Sequence, residues 1–115
     1  MPRTADPLGA VFGALADPTR RQVVETLLRE GVTSVPALTG ALPISRQAVA
    51  KHLATLGDAG LIERAPGDGR EVHYRLRDGA LGPAAAWIGE TEAAWDARLT
   101  RLKRAVERRG TRELG

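Results

Sequence analysis

Arg46, Gln47 and Lys51 fall within one six-residue stretch and carry the donor groups that a nucleic acid can use. A guanidinium can bridge O6 and N7 of guanine, and a glutamine amide can bridge N6 and N7 of adenine. Each bidentate pair discriminates by about 1–3 kcal/mol. A lysine ammonium is suited to phosphate, which positions a protein without specifying sequence. Ser45 precedes them, with a hydroxyl that either caps a helix or bonds phosphate. His52 follows, placed to pack or to meet phosphate rather than to bind metal. Arg70 comes after the run Pro66-Gly67-Asp68-Gly69 and is the expected contact to a minor groove or its phosphates.

These side chains need a scaffold, and the apolar spacing supplies one. Val49, Leu53 and Leu56 recur at i, i+4 and i+7, giving the helix from Ser45 to Leu56 one buried face. Arg46, Gln47, Ala50 and Lys51 lie off that face, and small Ala50 permits close approach. A short helix of this kind fits a major groove. Ahead of it, Ser34 is a cap candidate, and Val35, Leu38 and Leu42 line a third short helix. The tight Pro43-Ile44 turn makes the two helices a helix-turn-helix. Asp17-Pro18 is a helix start, because proline lacks the N–H that would be orphaned there. That second helix runs to about Glu30, burying Val23 or Val24, Leu27 and Leu28, and Gly31 ends it. Leu8, Val11, Phe12 and Leu15 mark a short first helix.

After Gly60, the better stop for the fourth helix, two segments have strand character: Leu61–Arg64 and Glu71–Leu76. Val72, Tyr74 and Leu76 alternate with polar neighbours, and Asp-Gly sits in the connection, so a β-hairpin wing is expected. Val32-Thr33 has the character of a short extended piece. Arg64 and Arg75 either support the wing's contact or pair with Glu63 and Glu71 across the hairpin. Arg20 and Arg21 are placed either to reach phosphate or to serve at the surface.

From about Pro83 to Arg108 the pattern is helical again, with Ile88, Trp95, Leu99, Leu102 and Val106 in a stripe that Gly89 and Thr91-Glu92 interrupt. Such a helix exceeds what a small winged domain can cover, and a second copy of the chain is the simplest partner, the alternative being that the stripe folds back on the monomer's own core. Leu8, Val11, Phe12, Ile88, Trp95, Leu99 and Leu102 are the expected dimerisation residues.

At 115 residues the chain has room for one domain. There is no cysteine, which excludes disulfides, thiolate metal sites and cysteine nucleophiles. No apolar run reaches the roughly 20 residues of a membrane span, and no h-region follows the N-terminus, so a cytoplasmic location is expected. The net charge is +3, unevenly spread: four basic residues meet four acidic in 1–44, six meet five in 45–79, none meets three in 80–97, and seven meet two in 98–115. The excess lies at the C-terminal end. Its run of Arg98, Arg101, Lys103, Arg104, Arg108 and Arg109 has the pattern of a solvated face, with contact to flanking DNA in a dimer as the alternative. No nucleophile–base pair and no phosphate-cradling glycine motif stands out, so no enzyme, cofactor or metal site is expected.

Ala14-Leu15-Ala16-Asp17-Pro18-Thr19-Arg20-Arg21, then Ile44-Ser45-Arg46-Gln47-Ala48-Val49-Ala50-Lys51-His52-Leu53, then Ala59-Gly60-Leu61-Ile62 and Val72-His73-Tyr74-Arg75-Leu76 resemble the ArsR family of winged helix-turn-helix repressors. The match covers about residues 8–108. It implies a dimer joined through the first and last helices, the fourth helix in the major groove, and a wing reaching towards the minor groove. It also implies repression of a promoter. The chain departs from the metal-sensing members, which use cysteine or histidine near the reading helix or on the last helix. Here the two histidines are His52 and His73, and Glu90, Glu92 and Asp96 alone make a poor soft-metal site.

The expected architecture is mainly α with a small β-hairpin (α+β). Residues 1–7 are read as a flexible tail and 8–108 as a single winged helix-turn-helix domain. Its C-terminal dimerisation helix covers about 83–108, and 109–115 fray. The expected function is a homodimeric, sequence-specific transcriptional repressor on an inverted-repeat operator in double-stranded DNA. That reading leaves room for a small-molecule or protein effector. The alternatives are a low-specificity architectural DNA-binding protein and a winged-helix protein-interaction module.

Overall fold

The computed structural model describes residues 6–67 and 69–114, with side chains as far as Gly110. Element order is α1 (Pro7–Leu15), α2 (Pro18–Glu30), β1 (Val32–Ser34), α3 (Val35–Ala41), α4 (Arg46–Asp58), β2 (Ile62–Ala65), β3 (His73–Leu76) and α5 (Gly82–Leu114). The chain divides at Gly82 and Pro83 into two compact units, the first holding α1 to β3 and the second being α5. No helix among the described residues is long and apolar enough to cross a membrane.

Local chemistry sets the helix ends of the first unit. Asp6 caps α1 by accepting the Gly9 N–H at 2.9 Å. Asp17 caps α2, accepting from the N–H groups of Thr19 at 2.7 Å and Arg20 at 3.1 Å, with Pro18 at the first helical position. Gly31, at φ +82°, ends α2 in a conformation that side chains with a Cβ rarely adopt. Gly60, at φ +78°, does the same after α4. There the Leu61 N–H reaches back to the Leu56 carbonyl at 3.0 Å, and both leucines are fully buried.

The core of this unit gathers Val11 and Ala14 of α1, Val23, Val24 and Leu27 of α2, and Leu38 of α3. Val49, Leu53 and Leu56 of α4 complete it with Leu61 and Ile62. A fully buried aliphatic side chain is worth about 1.5–3 kcal/mol over an exposed one, so this cluster dominates the unit's stability.

Four features differ from expectation. Val32–Ser34 is a true strand, making a three-stranded antiparallel sheet in the order β1-β3-β2 rather than a bare hairpin. Leu28 is 63% exposed, because the packed face of α2 is set by Val23, Val24 and Leu27. Val72 precedes β3 and is exposed, so the half-buried alternation is carried by Tyr74 and Leu76. Helix α5 runs to Leu114, past Gly110 and through residues expected to fray. One glycine costs a helix about 1 kcal/mol relative to alanine, and the flanking arginines and glutamate are good helix formers. α1 begins at Pro7, while residues 1–5 of the expected tail and Asp68 of the wing turn lie outside the described residues.

Candidate nucleic-acid interface

Helices α3 and α4 are joined by a four-residue turn, Leu42 to Ser45. Its backbone is locked at both ends. The Leu42 N–H donates to Leu38 at 2.9 Å, and the Ile44 N–H donates to Leu42 at 2.9 Å. Ser34 caps α3 by accepting the Ala37 N–H at 3.2 Å. Ser45 caps α4 by accepting the Ala48 N–H at 3.1 Å, and its side chain lies at the exposed start of the helix. Val49, Leu53 and Leu56 fix the back of α4 in the core.

The front of α4 is left open. Arg46, Gln47, Ala50, Lys51 and Ala54 are all exposed. Among the described residues no ion pair or side-chain hydrogen bond engages Arg46, Gln47 or Lys51. Their donors therefore face solvent from one helix surface.

His52 sits at the border of the two faces, half-buried, with Nδ1 3.4 Å from Nη1 of Arg20. Arg20 does much more than meet this ring. Its Nε donates to the Ala14 carbonyl at 2.6 Å, its Nη2 donates to Gly13 at 3.4 Å, and its Nη1 lies 3.8 Å from the Asp17 carboxylate. Arg21 donates through Nη1 to Leu15 at 2.6 Å and Ala16 at 3.2 Å. Both guanidiniums thus satisfy carbonyls at the C-terminal end of α1, where a positive charge also meets the negative end of the helix dipole. The N–H of Arg20, bonded to the carboxylate, holds the Asp17 pKa below its usual range. The Thr19 N–H, the Arg20 guanidinium and His52 act in the same direction, and desolvation acts against them.

The wing is built differently. β2 and β3 pair with Glu63 opposite Arg75 and Arg64 opposite Tyr74. Glu63 Oε2 accepts from Arg75 at 2.8 Å through Nε, with Nη2 also at 2.8 Å, and Glu63 Oε1 lies 3.6 Å from Nε of Arg77. Glu71 lies 3.9 Å from His73 rather than against Arg64 or Arg75. Arg64 and Arg70 remain exposed, with no ion pair among the described residues. The sequence reading did not single out Arg77. The signal was present in the charge alternation Arg75, Arg77 opposite Glu63, though alternation alone does not say which arginine the carboxylate takes.

Among the expected dimerisation residues of α1, Val11 is buried, Leu8 half-buried and Phe12 exposed. On α5, Ile88, Trp95, Leu99 and Leu102 are exposed. The basic residues Arg98, Arg101, Lys103, Arg104, Arg108 and Arg109 of that helix are exposed as well.

Comparison with known proteins places this geometry. Residues 15–65 match a family model described as a helix-turn-helix domain. The chain is 37% identical over 97 residues to the HTH-type transcriptional regulator Rv2034 of Mycobacterium tuberculosis, covering 84% of this chain and 86% of that protein. It is 43% identical over 67 residues to the arsenic resistance transcriptional regulator ArsR1 of Pseudomonas putida, covering 57% of this chain. That match spans only about half of ArsR1, 51% of its length. Among solved structures it is similar to an ArsR-like transcriptional regulator from Rhodococcus sp. RHA1. The two share 40% identity at a TM-score of 0.74, over 85% of this chain and 91% of that one.

Proposed function

The chain belongs to the ArsR family of winged helix-turn-helix transcriptional regulators, and on that premise we propose that it is a homodimeric repressor of an inverted-repeat operator. The observation that carries this reading is the exposed strip of Arg46, Gln47 and Lys51 on α4, free of internal partners among the described residues and backed by a sealed apolar face. In the proposed complex, Arg46 and Gln47 contact base edges, and Ser45, Lys51 and His52 contact phosphates. Arg70 extends from the wing to the minor groove. Two copies of α4, spaced one turn of DNA apart, require an operator with matching two-fold symmetry. Repression follows from occlusion of RNA polymerase in the cytoplasm, with no enzymatic step and no cofactor.

Release requires an effector with different affinities for the two states of the dimer, and typical couplings are about 1–3 kcal/mol. Arsenic belongs to the name of one relative. A chain without cysteine has no thiolate to hold it, which favours a metal-independent signal.

Titration against the gene's own upstream DNA and against a scrambled duplex of equal length, at about 150 mM salt, tests the proposal. The operator should bind about a thousandfold more tightly or better. Equal affinities would make the protein an architectural DNA binder. No binding to either would favour a protein-interaction module.

A further inference from the structure

The Arg20 guanidinium is pinned before it meets His52. Its Nε donates to the Ala14 carbonyl at 2.6 Å and its Nη2 to the Gly13 carbonyl at 3.4 Å, both at the end of α1. What remains is Nη1, which lies 3.4 Å from Nδ1 of His52 on α4 and 3.8 Å from the Asp17 carboxylate. An arginine nitrogen can only donate. Nδ1 must therefore offer its lone pair, since a proton there would set one N–H against another. In a neutral imidazole with a lone pair on Nδ1, the proton sits on Nε2. The shape of the ring points that N–H away from Arg20. Among the described residues every side-chain nitrogen sealed from water has a hydrogen-bond partner, and Nε2 of His52 has none. This N–H therefore reaches water, at the border of the exposed strip that holds Lys51.

We infer that Arg20 is a positioning residue for DNA binding: it holds His52 in the Nε2–H tautomer and so presents a neutral donor to a phosphate beside α4. This rests on the phosphate contact proposed above for His52 and adds the group that sets it. Only 19% of the Arg20 side chain is exposed, and all three of its nitrogens face groups of the fold. It acts through His52 rather than on the phosphate itself. One side chain thus joins the end of α1 to the reading helix. The two phosphate contacts also differ in kind. Lys51 brings a charge, whereas His52 brings a directed hydrogen bond. A neutral donor displaces no counterion, so only the lysine should enter the salt dependence. Arg21 provides an internal contrast. It donates to Leu15 and Ala16 at the same end of α1, and among the described residues it bonds no group of α4. Serving the end of α1 is common to both arginines, and meeting His52 is particular to Arg20.

The test reads the ring and the DNA separately, in the full chain. Spectra that correlate the ring nitrogens with the carbon-bound ring protons tell a protonated nitrogen from a bare one. They are recorded without DNA at about pH 8, where an ordinary imidazole is neutral. His52, identified by its loss in His52→Ala, should show a bare Nδ1 and a protonated Nε2. Arg20→Met should let the proton share both nitrogens and draw their shifts together, and Arg21→Met should leave the signature as it is. Affinity for the gene's own upstream DNA at about pH 7 is the second readout. Arg20→Met and His52→Ala should each weaken it about three- to tenfold, the scale of one hydrogen bond. The double variant should bind no more weakly than His52→Ala alone, since one residue acts through the other. His52→Ala should also keep the wild-type salt slope. A proton on Nδ1 in the wild type, which needs no variant to detect, would overturn the inference, as would an Arg20→Met ring with the wild-type signature. Additive losses in the double variant would give Arg20 a role independent of His52. A salt slope shallower by about one in His52→Ala would make the contact an imidazolium. A wild-type chain that binds no DNA would remove the function proposed above and the contact with it, while the spectra would still decide the tautomer.

Discussion

Helix α4 leaves its basic side chains free of internal partners among the described residues, whereas the wing commits two of its arginines, Arg75 and Arg77, to one carboxylate. In the wing, Glu63 holds Arg75 and draws Arg77 towards it. In α4, Arg46 and Lys51 have no such partner among the described residues. The difference follows from how each element is held. A short strand pair has little apolar area and is marginal by itself, so cross-strand ion pairs help fix its shape. α4 is fixed from behind by Val49, Leu53 and Leu56, which leaves its front side chains uncommitted. A count of basic residues, two on α4 and four in the wing, would have ranked the wing first. What matters for an external polyanion is the charge left over after the fold has taken its share.

The largest effect should come from the uncommitted side of α4. Arg46→Ala should cut the preference for operator over scrambled DNA by tenfold or more, at about 1–3 kcal/mol for each bidentate pair removed. Competition binding with the two duplexes measures it, and equal weakening on both would move base reading to another residue. Lys51→Ala should weaken binding to every sequence alike. The slope of log affinity against log salt should become shallower by about one for each phosphate that is no longer neutralised. An unchanged slope would place Lys51 away from the phosphates.

The wing provides a pair of intermediate size. Arg70→Ala should lower DNA affinity a few-fold, because this guanidinium is exposed and unpaired among the described residues. Arg75→Ala should leave DNA affinity nearly unchanged and lower unfolding stability by about 0.2–1 kcal/mol, the usual range for an exposed ion pair. Reversed results, with Arg75 mattering more to DNA than Arg70, would break the distinction between committed and free arginines.

Most of the elements were legible because their signals are local. Asp17-Pro18, Ser34 and Ser45 each combine a side-chain acceptor with an N–H two or three residues on, and all three cap helices here. β1 was harder to read, since three residues are too few for an alternation and its partner β3 lies some forty residues later. Leu28 was misplaced because residues 27 and 28 are both compatible with an apolar stripe, and only the tertiary packing chooses between them. The candidate interface was legible as a set of residue types on α4. The commitments of Arg20 and Arg21 were not, because backbone carbonyls leave no mark in the side-chain sequence. They attract these guanidiniums only once α1 ends beside the start of α2.

The helix starts offer the smallest and most selective test of the same contrast. α4 begins at a neutral cap, Ser45, whereas α2 begins at a charged one, Asp17. Asp17 belongs to the committed group, bonded to two backbone N–H groups and lying beside Arg20. Its pKa is lower in the folded chain than the value of about 3.9 expected when unfolded. The carboxylate therefore contributes stability that is complete above the unfolded value. That contribution is lost as pH falls through about 4 towards the folded value. Asp17→Asn keeps an acceptor for the N–H groups of Thr19 and Arg20 but cannot titrate. The variant should unfold in less urea than wild type at pH 7, and the two should converge below about pH 4, where the wild-type carboxylate is protonated. Its DNA affinity at pH 7 should be unaltered, because the charge it removes was already engaged inside the fold. Superimposable acid profiles would show that Asp17 is not part of the committed set. A large change in DNA affinity at pH 7 would show that the network of Asp17, Arg20 and His52 acts on the face of α4 and not only behind it.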